Sequence, residues 1–317
     1  MSIMNNTTAI NLIVLCGPTA SGKTCLGVQI ASRCNGEIIS ADSRQVFCGM
    51  DIGTGKDYSE YTIDGKTIPY HLIDIADPAR IYTVYDYKKD FNKVFTDIVS
   101  RKKLPVMVGG TGLYIEAVLR NYAIPEVPED SLLRKELMSR DKQGLEDELA
   151  RIAPNLYRST DKNSKKRIVR SLEIAKYRKS NIIKNPDQII PLLNPVVLGI
   201  VWERERLKDR IKKRLNARFQ QGMVEEVKRL LSSGISIERL SMFGMEYKHI
   251  ARYIINNGDF ETMSSALLHD IEQLSKRQAT YFRGMERRGV AMHWINEANL
   301  EEAEEVLNKY QFINNKK

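Results

Sequence analysis

The chain has 317 residues, and its 49 Lys and Arg against 40 Asp and Glu give a net charge of +9, which favours a polyanionic partner. No apolar run approaches the ~20 residues of a membrane helix, the first ten residues lack a signal-peptide core, and the four cysteines have no C-x-x-C spacing. We therefore expect a cytoplasmic protein with no membrane span and no zinc site, one large α/β domain with an insertion or second domain, and buried Cys16 and Cys25.

A phosphate-binding motif follows the first predicted strand. Residues 12–16 form a short apolar run typical of a buried parallel strand, and residues 26–31 continue as a helix. The turn between them has the P-loop pattern G-x-x-x-x-G-K-T, formed by Gly17, Pro18, Thr19, Ala20, Ser21, Gly22, Lys23 and Thr24. In such a turn the backbone N–H groups and the lysine bind phosphate, and the threonine hydroxyl binds Mg²⁺. The sequence therefore predicts diphosphate or triphosphate binding with Mg²⁺ as cofactor. A glycine turn with an exposed lysine is the alternative, which this context disfavours.

An acidic residue follows the second predicted strand, residues 37–40, which we expect to lie beside the first. In open α/β sheets, ligand-binding residues lie just beyond the carboxyl ends of the strands, which places Asp42 near the phosphate site. Asp is also a common N-cap and could serve as one for the turn at residues 43–47. Its place in the sequence does not separate these two interpretations.

The next candidate strand, residues 68–73, ends at Asp74. Asp74 could hold Mg²⁺ through water, as a Walker-B acid does. A turn residue before Pro78 is the favoured interpretation, because proline and aspartate are typical of turns.

A second glycine turn connects a strand to a helix. Residues 84–102 have the apolar spacing of an amphipathic crossover helix, residues 105–108 read as a buried strand, and residues 113–119 read as a helix. The turn Gly109-Gly110-Thr111-Gly112 would face the same cleft as the P-loop, which makes Thr111 a candidate substrate contact. A turn that needs glycines only for backbone reasons is the alternative.

The pattern changes to a charged helical segment after Tyr122. Proline-rich linkers bound it, residues 129–180 show no strand signal, and residues 196–202 return as a clear strand. We therefore predict an α/β domain of residues 1–122 and 195–317 with a helical insertion at residues 123–194. Residues 158–179 contain nine Lys and Arg against two acids, which favours contact with phosphates over a merely solvated helix face.

A long helical stretch, residues 203–231, follows the returning strand. Arg206, Arg210, Arg214 and Arg218 are four residues apart and form one stripe, which repels itself unless an anion lies along it. Whether that anion is a small diphosphate or RNA stays open. Glycines at 234 and 244 indicate turns, and a helix, a last strand and a terminal helix are expected at the three ranges 267–283, 291–295 and 298–310.

Three functions compete at this point. An NTP hydrolase or switch needs a Mg²⁺-binding acid after a strand, which only Asp74 approaches, and the N-K-x-D guanine motif is absent. A small-molecule or nucleoside kinase would use Asp42 as base and the arginine stripe as lid. A transferase would hold the diphosphate of its donor as leaving group and grip a nucleic acid with the basic insertion.

The chain resembles the tRNA dimethylallyltransferases, also called tRNA isopentenyltransferases, over nearly its whole length. Besides the P-loop, the motifs that carry the resemblance are Asp42-Ser-Arg-Gln-Val46, Met50-Asp-Ile-Gly-Thr54, His71-Leu-Ile-Asp74, Val108-Gly-Gly-Thr-Gly-Leu-Tyr114, Arg167-Ile-Val-Arg-Ser-Leu-Glu173, Gly222-Met-Val-Glu-Glu-Val227 and Lys276-Arg-Gln-Ala-Thr-Tyr-Phe-Arg283. The combination is specific, whereas the P-loop alone is shared by many enzymes.

Four stretches of the chain depart from the family pattern. Family members tend to have Ala-Lys-Pro where this chain has Gly55-Lys56-Asp57, and Gln where it has Lys166. A Gly-Tyr-Lys-Glu element is replaced by residues 245–248, and a Trp by Tyr281. These changes leave the reaction class intact and affect regions expected to bind the acceptor or to pack.

The resemblance implies a P-loop NTPase-like parallel sheet with flanking helices and an all-helical tRNA-binding insertion. It also implies transfer of a dimethylallyl group from dimethylallyl diphosphate to N6 of the adenosine next to the anticodon in the tRNA stem-loop, position 37. Asp42 would take the proton of the amine, Lys23 and the P-loop would stabilise the leaving diphosphate with Mg²⁺ on Thr24, and Thr111 would also be catalytic. The diphosphate site would include Arg214, and the protein would be a monomer. The residues implied in tRNA binding are Asp42, Ser43, Arg44, Gln45, Thr111, Arg134, Lys166, Arg167, Ile168, Val169 and Arg170.

Overall fold

The computed structural model describes residues 10–122, 124–180 and 191–310. They fall into two compact units, an α/β unit of residues 10–122 and 191–310 and a helical unit of residues 124–180. Of the proline-rich linker expected at residues 186–195, residues 186–190 lie outside the described residues. Each unit is described separately below.

A parallel sheet of six strands forms the centre of the α/β unit. The strands within the described residues are β1 Leu12–Cys16, β2 Gly36–Ser40, β3 Thr62–Ile63, β4 Lys66–Thr67, β5 Tyr70–His71, β6 Leu104–Gly109, β7 Pro195–Val201 and β8 His293–Asn296. The sheet has the order β5-β2-β6-β1-β7-β8, and β3 pairs with β4 in a separate antiparallel ribbon. Short apolar runs such as β1 are buried on both faces, which is typical of parallel sheets.

The expected neighbour relation between the first two strands is wrong. Val106 of β6 pairs with Ile13 on one side and with Ile38 on the other, so β6 separates β1 from β2. Strand order depends on where each crossover helix packs, and hydrophobic periodicity carries no information about that. Because β6 lies between β1 and β2, the turn after β6 lies between the P-loop and the turn after β2.

Thirteen helices lie within the described residues. They are α1 Lys23–Arg33, α2 Val84–Ser100, α3 Gly112–Leu119, α4 Ser131–Ser139, α5 Lys142–Ile152, α6 Pro154–Ser159, α7 Lys165–Ser180, α8 Arg204–Gln220, α9 Met223–Ser232, α10 Ile237–Phe243, α11 Met245–Ile255, α12 Phe260–Arg287 and α13 Leu300–Asn308. A 3-10 turn covers Tyr58–Tyr61. Helix α2 shows why such segments are helical, since Thr83 and Asp86 form a capping box at its start and apolar residues recur along its buried face.

Several boundaries differ from the sequence-based expectations. The stretch at residues 203–231 is two helices, because Gly222 adopts φ 93° between α8 and α9. The turns expected near residues 234 and 244 flank two further helices, α10 and α11. Only Tyr70–His71 of the strand expected at residues 68–73 pairs with the sheet.

Alternating side chains of β1 build two apolar layers in the α/β unit. Leu12 and Val14 pack with α2 and α3, whereas Ile13 and Leu15 pack with α1 and α13. A third cluster joins the C-terminal helices α8–α12. The sheet is therefore covered on both faces, and the carboxyl ends of its strands are left to form a cleft.

The helical unit has a small core of its own. Side chains of α4, α5 and α7 form it, among them Leu137, Leu149 and Leu172, all fully buried. In the parts of the chain that the structure covers, no helix has the length and apolar character needed to cross a bilayer.

Candidate active site

A cleft of about 610 Å³ opens at the carboxyl ends of the central strands. Residues 19–24 after β1, residues 42–45 after β2 and residues 109–111 at the end of β6 line it. Side chains from α8 and α12 line it as well. The cleft thus brings together the P-loop, Asp42 and Thr111, which the sequence predicted to meet. Gly17 and Pro18 lie at the base of the P-loop and are not among the lining residues.

The P-loop has the backbone of a phosphate-binding turn. Ala20 and Gly22 adopt positive φ angles of 60° and 83°, and α1 begins at Lys23 directly after the turn. A side chain at Gly17 would lie 3.0 Å from Ser21 Oγ and 3.1 Å from Ile200 Cβ, which explains the glycine at that position. The Ser21 hydroxyl is buried and has no hydrogen-bond partner within the described residues.

Three side chains from distant parts of the chain brace the P-loop. Arg210 Nε donates to Ala20 O at 2.9 Å, and Trp202 Nε1 donates to Ser21 O at 3.0 Å. Gln278 accepts from Thr19 N at 2.8 Å and donates to Gly110 O at 3.0 Å, so it connects the P-loop to the second glycine turn. These contacts fix the loop that carries the positive φ at Ala20, a conformation that costs free energy in a residue other than glycine.

A hydrogen bond joins the turn that carries Asp42 to the turn that carries Thr111. Asp42 Oδ1 accepts from Arg44 N at 2.9 Å, and Thr111 Oγ1 accepts from Ser43 N at 2.9 Å. Residues 43–46 form a turn and no helix follows, so Asp42 caps a turn while its carboxylate also lines the cleft. A Cβ at Gly109 would overlap with Ala41 O, so this glycine permits the close approach of the two turns.

The side chains of Arg44 and Gln45 also make contacts within the protein. Arg44 donates to the buried Glu246 at 3.0 Å. Gln45 accepts from Ser40 Oγ at 3.0 Å and donates to Gly55 O at 2.9 Å. Both residues line the cleft, with the Gln45 amide oriented by hydrogen bonds at each end.

Cationic groups dominate the cleft. Burial and the charge of Arg214 lower the pKa of Lys23 to about 8, with Asp42 and Glu60 acting against this effect. Burial and Arg214 likewise lower the pKa of Arg218 to about 10. An anion bound in the cleft would offset this mutual repulsion.

The arginine stripe on α8 contains four differently partnered residues. Arg206 pairs with Glu297 outside the cleft lining, and Arg210 stacks over Trp202 with its guanidinium carbon 4.5 Å from the ring centroid. Arg214 pairs with Asp57 at 2.6 Å. Arg218 is buried, and its Nε has no hydrogen-bond partner in the parts of the chain that are described.

Asp74 is held by a buried lysine. Lys56 Nζ bonds to Asp74, to Asp51 Oδ1 at 2.9 Å and to Phe47 O at 2.7 Å, and the Tyr58 hydroxyl donates to Asp74 as well. Asp74 does not line the cleft, and no cluster of three His, Cys, Asp or Glu suited to a metal ion occurs among the described residues. The structural use of Asp74 removes the sequence feature closest to a Walker-B acid.

In the helical unit, Arg134 and Arg170 bind one buried carboxylate. Glu173 accepts from Asp130 N at 2.6 Å and from Arg134 Nη2 at 3.0 Å, and it also pairs with Arg170. Arg170 donates in addition to Val127 O at 2.7 Å. Burial acts to raise the pKa of Glu173, but these hydrogen-bond donors outweigh burial and lower it.

Neighbouring residues of α7 differ in exposure. Lys166 and Arg167 are exposed, with Arg167 paired to Asp161 at 2.6 Å. Ile168 and Val169, which the family resemblance also implied in tRNA binding, are buried in the core of the helical unit. Among these residues the surface available to a ligand is therefore formed by Lys166 and Arg167.

Sequence inspection gave no role to Trp202, Gln278 or Asp57, all of which contact the P-loop or a cleft arginine. Trp202 follows β7, so the rule that singled out Asp42 could have found it. Gln278 lies inside the motif at residues 276–283 that helps to carry the family resemblance, but its residue type alone indicates no particular role. The expectation that Cys25 is buried is wrong, because it lies on an exposed position of α1, whereas Cys16 is buried.

The chain is similar to enzymes that modify tRNA. The IPP transferase family model matches residues 45–285. The tRNA dimethylallyltransferase 1 of Geotalea uraniireducens (strain Rf4) is 48% identical over 303 residues, which are 94% of this chain and 97% of that protein. The tRNA dimethylallyltransferase 1 of Parabacteroides distasonis is 44% identical over 304 residues, 96% of this chain and 98% of that protein. The crystal structure of the full-length tRNA isopentenylpyrophosphate transferase from Bacillus halodurans matches with a TM-score of 0.66 and 33% identity, covering 96% of this chain and 95% of the other.

Proposed function

Because the chain belongs to the IPP transferase family, we propose that it transfers a dimethylallyl group from dimethylallyl diphosphate to N6 of adenosine 37 in tRNA. The enzyme is a tRNA-modifying prenyl transferase, and the kinase alternative is not favoured. The observation that supports the chemical details of the proposal is that the P-loop, Asp42 and Thr111 line one cleft.

The P-loop side of the cleft would bind the diphosphate of the donor. Lys23, Arg214 and the backbone N–H groups at the start of α1 supply positive charge where the leaving group gains negative charge. The buried Ser21 hydroxyl, unpartnered among the described residues, would find its acceptor in a diphosphate oxygen. The diphosphate gains further negative charge as its C–O bond to the prenyl group breaks, so these groups stabilise the leaving diphosphate more than the intact ester, and this difference accelerates the reaction.

The Asp42 side of the cleft would hold the adenine. Its N6 amine is a weak nucleophile because the lone pair is conjugated with the ring. As the N6–C bond forms and the C–O bond to diphosphate breaks, the amine proton would pass to the Asp42 carboxylate. The hydrogen bond from Arg44 N to Oδ1 orients that carboxylate, and Thr111 braces the turn through Ser43. The base would have to leave its stack to reach the cleft.

Mg²⁺ is the cofactor we propose for the diphosphate side. Mg²⁺ takes few protein ligands and keeps waters and substrate phosphates in its shell, so the Thr24 hydroxyl in the cleft suits it without a carboxylate cluster. When bound, the ion would neutralise charge on the diphosphate.

The exposed basic face of α7 would bind the RNA backbone of the anticodon stem-loop. Lys166 and Arg167 are placed for phosphate contact, and Arg134 and Arg170 order the same segment through Glu173. Phosphate contacts of this kind position the RNA without reading its sequence.

Labelled substrates distinguish the proposed reaction from phosphoryl transfer. Unmodified tRNA is incubated with Mg²⁺ and either dimethylallyl diphosphate carrying a labelled prenyl carbon or ATP carrying a labelled γ-phosphate. We expect the prenyl label in tRNA, at adenosine 37 after nuclease digestion, and no transfer from ATP. Transfer of phosphate with no prenyl product would overturn the proposal.

We also propose that the enzyme acts as a monomer in the cytoplasm, where its tRNA substrate is found. The four cysteines are unpaired, as a reducing compartment requires. Light scattering coupled to gel filtration, with and without tRNA, would test the oligomeric state.

A further inference from the structure

Asp57 lies between two arginines on the wall of the cleft. Its Oδ2 accepts from Arg214 Nη2 at 2.6 Å and lies 3.9 Å from Arg218 Nη2. All three residues line the cleft together with Lys23. Although burial acts against the charge, the two arginines lower the pKa of Asp57, so the group is a carboxylate at neutral pH.

Gly55 leaves room for the side chains of Arg214 and Arg218. It adopts φ 72°, and a Cβ there would overlap with the guanidinium of Arg218 and lie 2.8 Å from Arg214 Nη2. Both guanidinium groups therefore pack against the backbone at Gly55, with Asp57 two residues further along the chain. Gly55 and Asp57 therefore both serve the contact with these arginines.

An anion is needed here for electrostatic reasons. Lys23, Arg214 and Arg218 converge on one cleft, where burial and, after it, the charge of Arg214 lower the pKa values of Lys23 and Arg218. Arg214 has a long side chain that is partly exposed, so without a partner it would move away from the other two charges into solvent. The contact with Asp57 prevents this movement.

We propose that Asp57 is a positioning residue for donor binding that acts through Arg214. Its carboxylate holds Nη2 of Arg214, and within the described residues no hydrogen bond engages Nη1 or Nε, which are left to donate to the diphosphate. The proposal rests on the proposed function, since it takes the anion in the cleft to be the donor diphosphate.

Steady-state kinetics of Asp57→Asn test the role. We expect the KM for dimethylallyl diphosphate to rise about 3- to 10-fold, the range for one partly exposed charge contact. The kcat at saturating donor and the KM for tRNA should change less than about 2-fold. Asp57→Glu should recover part of the loss, which a purely structural role of the loop would not explain. Asp97→Asn is the control, because it removes an exposed carboxylate paired with Arg101 at 2.8 Å, on α2 and away from the cleft lining.

A double-mutant cycle with Arg214→Gln tests the route. If Asp57 acts through Arg214, then Asp57→Asn should change the donor KM by less than about 2-fold once Arg214 is already replaced. Equal effects of Asp57→Asn in both backgrounds would overturn the proposal. A donor KM that falls in Asp57→Asn would also overturn it, because Asp57 would then compete with the donor for Arg214.

Calorimetric titration with inorganic diphosphate and Mg²⁺ separates this proposal from the proposed function. The wild type, Asp57→Asn, Arg214→Gln and the double variant are compared. The titration therefore measures the coupling between Asp57 and Arg214 without any prenyl transfer. Wild-type enzyme that transfers no prenyl group would defeat the proposed function alone. Wild-type transfer with no coupling in either assay would defeat the role of Asp57 alone.

Discussion

Asp42 uses one carboxylate oxygen to cap its own turn while the group as a whole lines the cleft. Capping and proton acceptance are therefore compatible in one side chain. Replacement by Asn separates the two roles, because Asn caps about as well as Asp but cannot accept the proton.

Replacement of Asp42 by Asn should abolish most of the turnover and leave the fold intact. We expect kcat to fall roughly 10²- to 10⁴-fold, the usual contribution of a positioned general base. The Asn side-chain oxygen can still accept from Arg44 N, so the melting temperature and the affinity for inorganic diphosphate should match the wild type. Single-turnover prenyl transfer and thermal denaturation measure the two effects. Wild-type turnover in this variant would assign Asp42 to the turn alone.

Residues with local signals could be found from the sequence, and residues with only tertiary signals could not. The P-loop, Asp42 and Thr111 each follow a strand within a few positions, and the structure brings them into one cleft. Gln278 contacts Thr19 across 259 positions of sequence, and Arg214 contacts Asp57 across 157. The spacing of residues along the chain does not predict contacts between positions this far apart.

At the scale of elements, α7 shows how a charge run divides into two roles. Of its basic residues, Arg170 turns inward to the buried Glu173, while Lys166 and Arg167 stay exposed. The composition of this segment predicted a helix that is rich in Lys and Arg. It could not show which charges face the core, because that depends on the acid which α7 brings to the interface with α4.

Charge reversal on α7 should separate RNA binding from stability. We expect Lys166→Glu with Arg167→Glu to weaken tRNA binding and to flatten its salt dependence, since each phosphate contact adds about −0.7 to −0.9 to the log–log slope. The melting temperature and the donor KM should stay unchanged.

The inward arginine supplies the contrasting variant. Arg170→Met leaves Glu173 short of a donor and should cost about 1–3 kcal/mol of unfolding free energy in the helical unit. Filter binding over a salt series and urea denaturation measure the two effects. Unchanged tRNA affinity and slope in the double variant would assign Lys166 and Arg167 to a solvated face.

At the scale of the whole molecule, buried carboxylates join elements that are distant in sequence. Glu37 on β2 accepts from Arg101 at the end of α2 and from His71 on β5, at 2.7 Å and 2.8 Å. Glu116 on α3 accepts from Arg288 after α12 at 2.9 Å. The sequence predicted most of these elements but placed β2 beside β1. Such pairs become visible only with the true strand order, in which β2 lies between β5 and β6.

These carboxylates should make the fold sensitive to acid. Hydrogen bonds from Arg101 lower the pKa of Glu37 to about 2, with burial acting against them and His71 adding to them. A carboxyl whose pKa is lowered by folding stabilises the protein above its unfolded pKa of about 4.3. That contribution is lost as the pH falls from there toward 2, because the unfolded chain then binds the proton first.

Glu37→Gln should remove this sensitivity at one site. At pH 7 we expect the variant to lose on the order of 2 kcal/mol of unfolding free energy, allowing for the partly exposed Arg101. The difference from the wild type should shrink as urea denaturation is repeated at pH 5, 4 and 3, because over this range the unfolded wild type gains a proton at Glu37 while the folded carboxylate stays ionised, which favours unfolding of the wild type. Glu205→Gln is the matched control, since Glu205 is exposed on α8 and its ion pairs within the described residues are with neighbours on its own helix. It should change stability by less than about 0.5 kcal/mol at any of these pH values. A difference for Glu37→Gln that stays constant with pH would mean that packing at this position matters and the charge does not.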